Sequence, residues 1–172
     1  MLEQHRAVER PDRDLEIEVE GGTMPSAETC EGPDYTPEVR INGLWAPYFA
    51  LIMDDPSASE GGFTQWLMWN VQRTDRIPRN IPKSTEINFP IRAVQGRNSL
   101  GEIGYSGPCP PPGEVHEYNV RVYGLDEPLD LNPASAREAL EKAMSGHIIQ
   151  YGQTQVEYRL KREMKIASGS RL

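Results

Sequence analysis

The chain has 172 residues, 37% hydrophobic and 26% charged, a length and composition that sustain one folded core and argue against wholesale disorder. Lys and Arg number 18 against 26 Asp and Glu, a net charge of −8, and a field of that sign repels nucleic acid and anionic lipid surfaces. No run approaches the ~18 apolar residues of a membrane span, and two cysteines, neither in a C-x-x-C, make neither a disulfide framework nor a structural zinc site.

The first residues, "MLEQHRAVERPDRDLE", are charged and lack an apolar h-region, so a cytoplasmic protein without stable membrane insertion is expected. One domain spans 1–172 in this reading, with a polar lead-in over 1–12 and a polar tail over 165–172. "DLEIEVEGG" sets Leu15, Ile17 and Val19 on one face and acids on the other, the period of a half-buried strand. A long Pro/Gly-rich loop follows, and regular structure resumes near Glu38 to Ile41. "APYFALIMDDP" predicts a buried strand that runs out into a loop at Asp54-Asp55-Pro56, and "GGFTQWLMWNV" a second, aromatic-rich one.

From Arg73 to Asn98 the chain is expected to be mostly irregular, because Pro78, Pro82 and Pro90 interrupt it. The Gly/Pro-rich "GEIGYSGPCPPPGE" then feeds "VHEYNVRVYGLD", where His116, Tyr118, Val120 and Val122 share one strand face. A helix is predicted over "NPASAREALEKAMSG", with Asn132 as N-cap, Pro133 at its first position and Gly146 as its stop. "TQVEYRLK" reads as a last strand. Many short strands and one late helix predict an all-β, antiparallel β-sandwich.

Several residues carry chemistry. A carboxylate at the end of a strand, as at Asp54 and Asp55, is aimed by a rigid sheet into a cleft, or is a solvated turn acid. His116 either cradles a ligand with Tyr118 or is a satisfied core residue. Gly104, Gly107 and Gly113 permit close backbone approach and an anion-binding nest of N–H groups, while Pro108, Pro110, Pro111 and Pro112 stiffen the loop; a rigid crossover between sheets needs the same composition. Cys109 with His116 makes a minor nucleophile candidate beside a packed or disulfide-capable thiol. Asp54, Asp55 and His116 make a minor metal candidate. His5 and His147 earn no assignment.

Taken together, "ALIMDDPSAS", "QWLMWNV" and "AVQGRNSLGEIGYSGPCPPPGEVHEYNVRVYGLDEPLDL", with "GH" after the helix, resemble the phosphatidylethanolamine-binding protein family from about Met24 to about Leu160. The segments Thr29 to Gly32 and Gly107 to Pro111 resemble its bacterial and archaeal branch. The resemblance implies an antiparallel β-sandwich with Greek-key connections and a small pocket for phosphate-type or similar anionic groups. It implies that Asp55, Gly107, Pro108, His116 and Tyr118 line that pocket. Where the family carries a second pocket histidine this chain has Gln65, which donates and accepts hydrogen bonds but never becomes cationic. Where the family usually has an acid, this chain has Ser57.

The expectation is therefore a binding protein for a small anionic or polar group, without cofactor or metal, with a regulatory or inhibitory role that leaves room for a protein target. One alternative is an enzyme in which Asp55 and His116 exchange protons with a small metabolite; another is a protease or kinase inhibitor that acts through surface loops. Cys30 and Cys109 stand as a possible disulfide.

Overall fold

The alternation of Leu15, Ile17 and Val19 with acids becomes strand β1 (Glu16–Val19), its apolar side chains buried and its glutamates exposed. The computed structural model describes residues 15–20, 24–58 and 61–160. The expected lead-in and tail lie outside these residues. Strand β1 pairs with β2 (Val39–Asn42), and β2 with β5 (Arg76–Ile77), in an antiparallel three-stranded sheet. One turn of 3-10 helix, Ser26–Glu28, interrupts the long loop before β2.

The second sheet has six strands, in spatial order β6 (Glu86–Ile87), β7 (Ala93–Gln95), β4 (Phe63–Gln72), β3 (Tyr48–Asp55), β8 (Val115–Leu125) and β9 (Ile148–Arg159), all antiparallel. Strands β3, β4 and β7 lie side by side, with β5 and β6 between β4 and β7 in the chain, and after β7 the chain crosses to the far side of β3 to form β8. That is a Greek key, and the Gly/Pro-rich segment makes its long return.

Both faces of the large sheet are covered, which is why β3 is buried at every position but its first. One face sends Phe49, Leu51, Met53, Trp66, Met68, Val120 and Val122 against Ile17, Val39, Ile41 and Ile77 of the small sheet. The other sends Ala50, Ile52, Leu67, Trp69, Tyr123 and Tyr151 against Leu129 and the helix residues Leu140 and Met144. Each Val, Leu, Ile, Phe or Met among them contributes roughly 1.5–3 kcal/mol by leaving water. The sandwich thus carries a third, partial layer.

The helix is shorter than its sequence pattern. Helix α1 spans Arg137–Met144 with Ala136 at its N-cap, so Asn132 and Pro133 do not start it. Ala134 sits at φ 69°, outside helical space. Its N–H donates to the Gln95 carbonyl, and the Arg97 N–H donates to the Ser135 carbonyl, so pairing with the β7 edge holds 134–135 out of the helix. Gly146, at φ 85°, does follow its end. Strand β9 begins six residues before the predicted "TQVEYRLK", because β8 pairs with it from Val115–Arg159 through Leu125–Ile148.

Candidate functional site

The end of β3 divides two neighbouring carboxylates between opposite faces, as strand alternation requires. Asp55 reaches the imidazole of His116, contacting Nδ1 through Oδ2. Its other oxygen, Oδ1, accepts from the Ser57 N–H at 3.0 Å and the Ser57 hydroxyl at 2.9 Å. Ser57, standing where the resemblance leads one to expect an acid, therefore orients the pocket aspartate. His116 Nε2 lies 2.6 Å from Glu114 Oε1. Burial works against a charged imidazole, but hydrogen bonds and charge from Glu114 and Asp55 outweigh it and hold His116 above its ordinary pKa.

Tyr118 lies two residues along the same face, its ring 6.4 Å from the His116 ring and tilted by 34°. Burial, with the Asp55 charge adding, pushes its phenol well above the usual range, so it stays a neutral donor. Gln65 arrives through an irregularity. The β3–β4 register runs Met53–Trp66 and then Asp54–Thr64, which leaves Gln65 as the extra residue of a bulge. Bulges re-aim side chains, and Gln65 lines the cavity with its Oε1 buried and without a partner.

These groups open on one cavity of about 370 Å³, lined by Asp55, Gln65, Gly107, His116 and Tyr118 among the expected residues. Pro108 is not in its lining; it is buried and its carbonyl accepts from the Cys30 N–H at 3.2 Å. Phe63, Leu100, Pro110 and Pro111 give the cavity an apolar wall. Sequence reasoning missed Phe63 and Leu100, and it missed Glu114, although two residues before His116 on an extended chain is a same-face spacing.

The glycines of the crossover loop serve the protein more than a ligand. The Gly104, Ser106 and Gly107 N–H groups donate to the Gly96 carbonyl, the Gln65 carbonyl and Asp34 Oδ1 respectively. A side chain at Gly107 would bring its Cβ within 2.4 Å of Asp34 Oδ1 and of the Glu28 carbonyl. No nest of free amides is left at these three positions. Cys109 is joined to Cys30 by a disulfide, S–S 2.04 Å and Cα–Cα 5.5 Å. That corrects the nucleophile reading, since a disulfide sulfur is no thiolate.

On the other face of β3, Asp54 Oδ2 accepts from Arg121 and Arg137, each at 2.6 Å. Asp54 is turned away from His116, so the metal set of Asp54, Asp55 and His116 does not converge. Among the described residues, Asp126, Glu127 and His147 bring potential ligand atoms within 4.8 Å of one another, but at the opposite end of β8 and largely in solvent.

What the cavity offers is a buried carboxylate, a histidine held between two acids, a phenol and an amide, beside an apolar wall. A family model described as phosphatidylethanolamine-binding protein matches residues 17–159. A UPF0098 protein of Pyrococcus abyssi is 50% identical over 133 residues, covering 76% of this chain and 75% of that protein. One from Pyrococcus horikoshii is 49% identical over 133 residues, 76% of this chain and 67% of that protein. Among solved structures, a putative phosphatidylethanolamine-binding protein homolog from Chlamydia trachomatis superposes with a TM-score of 0.76 at 26% identity, over 87% of this chain and 100% of the other. YbcL of Escherichia coli, described as a new member of the mammalian family, gives 0.76 at 22% identity, over 86% and 99%, a likeness of fold.

Proposed function

The chain belongs to the phosphatidylethanolamine-binding protein family, in its bacterial and archaeal form, and from that premise we propose that it binds a small ligand with an anionic or polar group in the Asp55–His116 cavity. The convergence of Asp55, Gln65, His116 and Tyr118 on one space of about 370 Å³ carries the reading. The polar group meets His116, Gln65 and the Tyr118 hydroxyl, while an apolar part lies along Phe63, Leu100 and Pro111. Asp55 orients His116 and stabilises its charged form. A charge-assisted contact contributes about 1.5–3 kcal/mol, so a few of them give micromolar to millimolar affinity.

The role is regulatory or inhibitory: ligand occupancy alters how the surface around the cavity meets a protein target such as a kinase or protease. Cytoplasmic placement is part of the proposal, and the Cys30–Cys109 bridge narrows it to a cell interior that sustains protein disulfides. Calorimetric titration with phosphate, phosphoethanolamine and acetate tests the binding. Wild type should bind at least one of them, and His116→Ala should lose roughly tenfold or more in affinity; silence in wild type, or equal binding by the variant, rejects the reading.

A second reading, acid/base catalysis on a small metabolite, is favoured by the direct Asp55–His116 contact, which resembles an oriented general base. In that case Asp55→Asn abolishes product formation from the metabolite, and undiminished product in that variant removes the enzyme reading.

A further inference from the structure

His116 has two ring nitrogens, and both face carboxylates: Asp55 at Nδ1 and Glu114 at Nε2. Ionised carboxylates only accept hydrogen bonds, so satisfying both requires a proton on each nitrogen and makes the ring a cation. The two acids are held differently. Asp55 is 2% exposed at its side chain and fixed by Ser57, whereas the Glu114 side chain is 55% exposed. Glu114 follows Gly113, which has φ of 83° and open space around it, and among the described residues His116 is the only side-chain partner of its carboxylate.

Among the described residues the cavity lining contains no Lys or Arg. His116 is thus the only cation that the described lining residues offer, and both of its ring nitrogens already face the protein's own carboxylates. Gln65 adds no charge. A phosphate-type anion entering the cavity meets Asp55 in the lining, and Glu114 already on His116 Nε2, before it gains one hydrogen bond from the imidazolium.

Resting on the assignment of this cavity as a ligand site, we propose that Glu114 is its specificity-determining residue: its carboxylate occupies the anion position on His116 Nε2, so anions bind only by displacing it. Neutral or cationic groups that donate hydrogen bonds enter without that displacement, because Gln65 Oε1 and the Asp55 carboxylate in the lining both accept. The exposure of the Glu114 side chain, at the end of the loop that leads into β8, is what allows the displacement.

The test is isothermal titration of inorganic phosphate into the intact protein near pH 6, where His116 is charged, for wild type, Glu114→Ala and Glu114→Gln. Both variants should bind phosphate roughly 10- to 100-fold tighter than wild type, the loss of one competing charge-assisted contact. Equal or weaker phosphate binding by the variants overturns the proposal. A second readout needs no ligand: the NMR titration midpoint of His116 should fall in both variants, and an unchanged midpoint also overturns it. Among the described residues, the other titratable side chains beside the ring, Tyr118 on its own face and Tyr158 opposite it on β9, have raised pKa values and stay neutral through that range, so the midpoint reports the two carboxylates. If all three proteins bind phosphate equally, the cavity assignment survives and the role of Glu114 falls. If none binds phosphate, phosphoethanolamine or ethanolamine, both fall.

Discussion

Asp54 and Asp55 are adjacent in the chain, equally buried and of one chemical type, yet they do opposite work. Asp54 locks the outer face of β3 to two arginines, Arg121 of β8 and Arg137 of α1, whose charge does not titrate in the accessible pH range. Asp55 faces the cavity and holds a histidine, whose charge does titrate and whose second nitrogen is shared with a solvent-exposed acid. A single step along a strand thus separates a permanent structural clamp from an adjustable site. The lesson is that the partner, more than the carboxylate, decides whether a buried charge is fixed or responsive.

The contrast is broken most severely through the covalent clamp on the cavity side. Removing the Cys30–Cys109 bridge, whose ends are 79 residues apart, should cost roughly 4 kcal/mol in the chain-entropy picture. Denaturant unfolding of Cys30→Ala/Cys109→Ala against the oxidised wild type measures it. If the two faces are independent, NMR shifts of His116 and Tyr118 move in that variant while those of Arg121 and Arg137 stay in place.

Next in size is the exchange of the aspartates themselves. Asp54→Ala takes the shared carboxylate from two half-buried guanidinium groups and should cost about 3 kcal/mol of unfolding free energy, at the low end for a broken buried pair because both arginines retain some contact with solvent and Arg137 keeps Glu141 and Thr64. Asp55→Asn keeps its shape and part of its hydrogen bonding, and should cost only about 1 kcal/mol. Equal losses, measured by denaturation at pH 7, would remove the distinction between clamp and site.

The smallest effect is the sharpest discriminator, because it has a sign. The folded pKa of His116 is raised above its ordinary value near 6.5. Its contribution to stability is therefore fully present below about pH 6.5 and is lost as pH rises through the folded pKa. A stability-against-pH curve of wild type minus His116→Gln should show a positive difference on the acid side that shrinks toward alkaline pH. The arginines of the clamp keep their charge throughout, and a flat His116 difference would mean the imidazole is not charged in the folded protein.

Much of the fold was legible in local pattern. Alternation placed Leu15, Ile17 and Val19 inward and put His116 and Tyr118 on one face, and the unbroken apolar run of β3 announced burial on both sides. Glu114 was legible too, by its two-residue spacing from His116, but went unread among the glycines and prolines around it. The start of α1 was misread because a hydrogen bond to Gln95, 39 positions earlier in the chain, competes with a good local cap.

What the sequence determined by itself are the features set by neighbours in the chain: strand faces, the stop at Gly146 and the stiffness of the crossover loop. The tertiary structure alone decided which charges meet. Asp54 finds Arg121 and Arg137 across 67 and 83 residues, and Cys30 meets Cys109 only because the Greek-key return lays one loop on another. Gln65 enters the cavity because a register shift adds a residue to β4 at that point. Periodicity is a local property and can be read along the chain; pairing, register and crossover depend on what each strand finds beside it.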